Sequence, residues 1–233
     1  HRFVQETDTT TGRRVTFPRY HQWHAVTALV DHASRHGAGQ NYLLQHSAGS
    51  GKSNSIAWLA HQLIGLQRND KHVFDTVVVV TDRRILDQQI RETIKQYAQV
   101  GATIGAVTEG SKQLREFIES GKKIVISTVQ KFPFILEELG SGHRDRNFAI
   151  VIDEAHSSQG GRATAALNQA FAEGGAAEED ETVEDTINRL MESRKLLPNA
   201  SYFAFTATPK NKTLEIFGEP FTEDGVTKHR PFH

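Results

Sequence analysis

A three-layer α/β fold built on a parallel sheet is what this sequence predicts, and three observations carry the prediction. Short β-branched or aromatic runs recur along the chain, at 42–46 (YLLQH), 74–80 (FDTVVVV), 123–128 (KIVIST), 148–153 (FAIVID) and 202–206 (YFAFT), with a weaker one at 102–107. They are continuous rather than alternating, the pattern of strands buried on both faces. Helix-like stretches at 53–66, 83–98 and 161–172 separate them, and strand–helix alternation means βαβ units with helices on both sides of the sheet.

The remaining segments frame this body. Residues 1–40 are expected as an N-terminal extension carrying a helix over 20–36, residues 41–217 as the α/β body, and residues 218–233 as the start of a linker to a further domain. Residues 174–185 (GGAAEEDETVED) hold six acids and no base, which reads as a solvated loop leading into a helix that ends near Leu197. A length of 233 residues suits one large domain, long enough to bury a sizeable core. The net charge of −1 gives no support to a wholly basic nucleic-acid binder, so any such footprint has to be local. The absence of cysteine removes disulfides, thiolate catalysis and thiolate zinc sites. No apolar run approaches the ~18 residues that span a bilayer, and the first residues do not read as a signal peptide, so a cytoplasmic location is expected.

The chemistry is concentrated at three strand ends. After the first body strand comes HSAGSGKS, residues 46–53, and then an amphipathic helix. Gly49 and Gly51 let the backbone of Ala48, Gly49, Ser50 and Gly51 curl so that successive N–H groups face a phosphate. The helix that follows adds its positive N-terminal end. Lys52 reaches the β/γ oxygens of a nucleotide, and the Ser53 hydroxyl can ligate Mg2+. A bare GKS also fits a flexible loop; the strand before it and the helix after it favour the phosphate reading. The general pattern has glycine where His46 stands. The second strand end is FAIVIDEAH, residues 148–156. Ligands gather at the carboxyl ends of such strands, where Asp153 can serve the metal and Glu154 can orient and deprotonate an attacking water. The third is FAFTATP, residues 203–209, whose Thr206 and Thr208, flanking Ala207, can relay nucleotide state to the acidic pair.

Taken in order, AGSGKS, DEAH and TATP resemble motifs I, II and III of superfamily 2 helicases and translocases, whose first motor domain is a RecA-like P-loop NTPase fold. RYHQ (19–22) resembles the adenine-reading glutamine motif, with Gln22 as reader. TDRRILDQQI (81–90) resembles motif Ia, and STVQKF (127–132) resembles motif Ib. The phrasing is most similar to the motor (R) subunit of type I restriction-modification enzymes, over roughly residues 17–217. The resemblance implies that Lys52 and Ser53 hold the triphosphate and Mg2+, Asp153 the metal and Glu154 the water. It implies that His156 couples ATP to motif III, that Thr81, Asp82 and Arg83 lie along a DNA backbone, and that Ser127 and Thr128 do so from the next strand end. ATP and Mg2+ are then the cofactors. In that family the whole protein joins methylation and specificity subunits, translocates double-stranded DNA and cuts through a separate nuclease domain. Ser157 stands where a basic residue often follows DEAH.

The resemblance also sets limits. A second RecA-like domain would supply the arginines of the ATP site, and none is expected within these residues, nor a nuclease block before residue 17. Since an arginine finger is worth ~10³–10⁵ in turnover, the chain alone is expected to hydrolyse ATP barely. A superfamily 2 unwinding helicase and a nucleotide-gated assembly module are the competing readings. HRD at 143–145 lacks the asparagine of a kinase loop, with Ile150 in its place. The pairs His21/His24 and His32/His36 have helix-face spacing for a metal but no accompanying carboxylate signature, and read as surface or half-buried histidines. Phe17 and Tyr20 fit either an adenine stack or the core.

Overall fold

A computed structural model of the chain describes residues 5–9, 12–47, 49–81, 104–107, 111–153, 183–194 and 197–233. The expected helices at 83–98 and 161–172 lie outside these residues, as do Ala48, Asp82, Arg83, Glu154, His156 and most of the acidic stretch. Among the described residues the chain opens with a hairpin, β1 (Gln5–Thr9) and β2 (Gly12–Thr16), followed by helix α1 (Tyr20–His36). The sheet strands are β3 (Asn41–Gln45), β6 (Thr76–Thr81), β7 (Ile104–Ala106), β8 (Ile124–Thr128), β9 (Phe148–Ile152) and β10 (Ala200–Thr206). Helices α2 (Lys52–Ile64), α3 (Ser111–Glu119), α4 (Phe132–Gly142), α5 (Val183–Arg194) and α6 (Asn211–Phe217) complete the body.

These strands form a six-stranded sheet in the order β3-β10-β9-β6-β8-β7, every adjacent pair parallel. The expected strands and α/β class are therefore observed, each strand within two residues of its sequence assignment. The layers follow from the two-residue period of a strand. On β6, Val77 and Val79 enter one core with α1 and α2, while Val78 and Val80 enter a second with α3 and α4. The neighbouring strands divide likewise: Ala149 and Val151 against Phe148, Ile150 and Ile152 on β9, and Phe203 and Phe205 against Tyr202 and Ala204 on β10. Because both faces are covered, an uninterrupted VVVV is the right sequence for a central strand; each fully buried valine is worth roughly 1.5–3 kcal/mol relative to exposure.

The N-terminal helix packs against α2. Its buried Ala25, Val26, Leu29 and Ala33 recur at helical spacing and share the core with Ile56, Trp58 and Leu59 of α2. It stops at Gly37, whose φ of +80° favours glycine and whose N–H closes on Ala33 O at 2.8 Å. Across the second face, Glu138 of α4 receives Nε and Nη2 of Arg115 from α3, both at 2.8 Å. That bidentate pair holds the Glu138 carboxyl below its ordinary range.

Besides β1–β2, two further hairpins among the described residues escape a reading by hydrophobic runs. One joins β4 (Gln67–Arg68) to β5 (Lys71–His72) through Asn69 and Asp70, the other β11 (Glu219–Glu223) to β12 (Val226–Arg230) through Asp224 and Gly225. All four linking residues have φ between +50° and +76°, as two-residue turns between twisted strands require. After β12 the chain returns to the sheet, where Phe232 N donates to Leu43 O and Gln45 N to His233 O, each at 2.8 Å. Residues 231–233 thereby cover the outer edge of β3. No helix among the described residues is long and apolar enough to cross a membrane.

Candidate functional site

The loop between β3 and α2 takes its shape from two glycines. Gly49 and Gly51 have φ of +77° and +83°, in the left-handed region that other residues enter at a cost of roughly 1–2 kcal/mol. Gly51 also faces a steric limit, because a Cβ there would lie 2.5 Å from the Gln22 amide nitrogen. The loop is pinned at its start by His46 N donating to Thr206 O at 2.8 Å, and internally by Ser50 N to Ser47 O at 3.2 Å. Lys52 opens α2 and is only 7% exposed. Its ammonium turns back into the loop mouth and donates to His46 O at 3.3 Å and Ser47 O at 3.4 Å. Ser53 follows on the same first turn, half-buried.

Asp153 stands at the tip of β9, 2% exposed, and its N–H continues the ladder onto β6 through Val80 O at 2.9 Å. Both the lysine loop and this carboxylate are at the carboxyl edge of the same parallel sheet, with β10 alone between their strands. Two inter-strand spacings amount to ~9.6 Å, a gap that a triphosphate and a metal can fill. A serine hydroxyl and a carboxylate are hard oxygen donors of the kind Mg2+ takes. The third strand end is β10 itself. Thr206 is buried, and its carbonyl anchors His46; Ala207 is half-buried and accepts Gln45 Nε2 at 3.5 Å; Thr208 is exposed.

Gln22 sits differently from a residue waiting for a base. It is 4% exposed, its Oε1 accepts Arg19 N at 2.8 Å, and its Nε2 donates to Ser50 O at 3.1 Å and Gly51 O at 3.0 Å. Both amide protons are thus committed to the loop between β3 and α2. Phe17 and Tyr20, for which the core was one option, are 67% and 76% exposed beside it, so packing in the core is not their role.

The residues expected along a nucleic-acid backbone divide by depth. Thr81 and Ser127 are 0% and 1% exposed, and their hydroxyls find no hydrogen-bond partner among the described residues. Their side chains lie beneath the surface that a backbone phosphate could touch. Thr128, paired with Thr81 across β6 and β8, is half-buried and reaches that surface.

A group of histidines around the loop was not legible beforehand as a site. His21 Nε2 lies 3.1 Å from Ser50 O, His24 Nδ1 lies 2.8 Å from His233 Nε2, and His46 Nε2 lies 3.4 Å from His233 Nδ1. The one signal available was His46 itself, in a position where the loop pattern has glycine. His32 and His36 stack ring on ring at 3.8 Å, and no group of three histidines and acids among the described residues is arranged to hold a metal.

Burial first, and then His233, His21 and Lys52, push the His46 imidazole down to about 4. An unfolded histidine titrates near 6.5. Between those values the unfolded chain holds a proton that the folded chain does not, so stability is lost as pH falls from 6.5 toward 4. Urea unfolding at pH 7 and pH 4.5 should show a loss of which roughly 2–3 kcal/mol belongs to this ring. His46→Gln should lose correspondingly less, and equal losses in both proteins would refute the assignment.

Comparison with known proteins agrees with this arrangement. The model of a family described as SWI2/SNF2 ATPase matches residues 21–224. The endonuclease subunit of the type I restriction enzyme HindI from Haemophilus influenzae is 30% identical over 228 residues, covering 89% of this chain and 20% of that protein. The EcoKI endonuclease subunit of Escherichia coli K12 is 29% identical over 207 residues, covering 87% and 16%. The chain therefore spans a fifth or less of these relatives. Among solved structures, the UvsW helicase from bacteriophage T4 aligns with a TM-score of 0.49 at 13% identity, covering 91% of this chain and 60% of that one. A nuclease-deletion mutant of the Type ISP restriction-modification enzyme LlaGI, in complex with a DNA substrate mimic, aligns with a TM-score of 0.49 at 18% identity, covering 82% and 17%. Since the family match runs over most of the chain and takes in both the lysine loop and the carboxylate strand, this chain belongs to the SWI2/SNF2 ATPase family.

Proposed function

We propose that the chain is the ATP-binding and ATP-hydrolysing motor domain of a double-stranded DNA translocase, part of a type I restriction endonuclease R subunit. The observation that carries the reading is the meeting of Lys52 and Asp153 at one carboxyl edge of the sheet, a single strand apart. The endonuclease subunits it resembles support the restriction setting.

The residues perform distinct tasks in this reading. The curled backbone at Gly49–Gly51, with Ala48 before it, and the first turn of α2 cradle the β-phosphate. Among the described residues Lys52 has two long contacts to neutral carbonyls to give up, so its charge is available to the β/γ oxygens. Ser53 and Asp153 would hold Mg2+, which supplies charge neutralisation of the phosphate oxygens when bound. Glu154 orients a water and takes its proton as the water oxygen bonds to the γ-phosphorus and the bond to the bridging oxygen breaks. His156, Thr206, Ala207 and Thr208 pass the change to the rest of the domain. Asp82, Arg83 and Thr128 lie along the DNA backbone. Such contacts position a duplex without reading its sequence. Methylation and specificity subunits are the partners of the whole enzyme.

The test is Glu154→Gln in the full-length protein. ATP should still bind with unchanged affinity, whereas turnover should fall about 10²–10⁴-fold, the usual contribution of a positioned base. Unchanged turnover would defeat the hydrolytic reading and favour a nucleotide-gated assembly module. Triplex displacement without strand separation would distinguish translocation from unwinding.

A further inference from the structure

We propose that His46, His233 and His24 form a directional hydrogen-bond chain that positions the phosphate loop by fastening its first residue to the segment 231–233. The inference rests on residues 46–53 being a phosphate loop.

The geometry dictates the direction. A neutral imidazole offers one N–H and one bare nitrogen. His46 is 5% exposed, and its Nδ1 is buried without a partner among the described residues. A buried N–H left without an acceptor costs more than a bare nitrogen, so the proton belongs on Nε2, which faces His233 Nδ1 at 3.4 Å. His233 must then accept on Nδ1 and carry its own proton on Nε2, which donates to His24 Nδ1 at 2.8 Å. His24 lies on the exposed side of α1, and its Nε2–H meets water. The chain runs outward from the loop to solvent.

Both ends of the chain are held. The His46 ring packs edge-on against Phe205 of β10 at 6.0 Å and against His21 at 5.6 Å, while its backbone carbonyl accepts Lys52 Nζ. The segment 231–233 is seated by its bonds to Leu43 and Gln45 and by Phe232, whose ring meets Tyr42 at 5.2 Å and His32 at 5.4 Å. A glycine at position 46 would leave the loop without this attachment. Among the described residues the titratable groups facing the chain are His21 and His24 from α1, Lys52 from α2 and His233 from the segment after β12; Phe205 from β10 is neutral. A proton added to His233 Nδ1, which burial delays to a lower pH than that of an ordinary imidazole, removes the acceptor of His46 Nε2–H. The chain could then persist only in reverse, with an unpartnered N–H at His46 Nδ1, so acid should release the loop from the segment.

The experiment measures binding of a fluorescent ATP analogue with Mg2+ to the full-length protein from pH 8 to pH 5, alongside histidine C2 hydrogen exchange by mass spectrometry. His233→Phe keeps a ring in place and removes both nitrogens; His46→Gln keeps a donor where Nε2–H was; His24→Phe changes only an exposed side chain and guards against loss of folding. His233→Phe should weaken binding about fivefold at pH 8, the value of one neutral hydrogen bond. It should also flatten the acid-dependent weakening seen in the unaltered protein. His46→Gln should bind within about twofold of the unaltered protein, because its amide can still donate to His233. His24→Phe should weaken binding less than His233→Phe does and raise exchange at His233, whose Nε2–H has lost its acceptor. If His233→Phe and His24→Phe follow the unaltered protein across the pH range, or if His46→Gln is impaired as much as His233→Phe, the chain does not position the loop. Failure of the unaltered protein to bind the analogue would instead overturn the phosphate-loop reading, and the inference with it.

Discussion

Lys52→Ala is expected to lose nucleotide-dependent function while keeping the fold. The ammonium turns into the loop mouth, and removing a single preorganised donor from a nucleotide site typically costs about 10²–10³ in turnover. Stability should change by less than about 1 kcal/mol, because the lost contacts at 3.3 and 3.4 Å are long bonds to neutral carbonyls. ATP binding by calorimetry, ATP turnover on DNA and a thermal melt measure the three quantities on one preparation of the full-length protein. Wild-type ATP affinity and turnover in this variant would remove Lys52 from the site and with it the reading of residues 46–53.

Gly51→Ala should be as damaging by a different route. The φ of +83° alone penalises any side chain by roughly 1–2 kcal/mol. The new methyl also meets Gln22 Nε2 at 2.5 Å, and that amide has nowhere to go without surrendering its bonds to Ser50 O and Gly51 O. Two neutral hydrogen bonds add about 1–3 kcal/mol, for a total of roughly 2–5 kcal/mol. Gln22→Ala in the same protein should relieve the collision and leave the backbone strain. The double variant is therefore expected to be more stable than the sum of the single effects by about 1–2 kcal/mol. Strict additivity in urea denaturation would mean that the glutamine does not clamp the loop. Gln22, the expected adenine reader, is bonded to Ser50 and Gly51.

How far the site was readable follows from how local each part is. Residues 46–53 are contiguous, and a buried strand, two glycines and a helix start are recorded in order along the chain; Lys52 and Ser53 needed nothing else. Asp153 was equally legible, since a run of apolar residues ending in a carboxylate marks the tip of a covered strand. The hairpins at 67–72 and 219–230 carried Asn-Asp and Asp-Gly turn signals, yet their flanks are exposed and supply no apolar run to draw attention. Thr81 and Ser127 were assigned from motif position, which gives the strand end but not the depth; only packing places their hydroxyls below the surface.

The amino-acid order alone was enough for the class of fold, the strands and their two-sided burial, and for naming three strand tips as the candidate site. These depend on patterns of a few adjacent residues, where steric preference and hydrophobic periodicity act locally. Tertiary structure alone decided that β10 stands between the lysine and carboxylate strands, that Gln22 grips Ser50 and Gly51, and that His24, His46 and His233 meet. Those contacts join residues 28 to 209 positions apart, and no local pattern encodes them. They exist because burying both faces of the sheet brings α1 and the segment after β12 to the same edge as the phosphate loop.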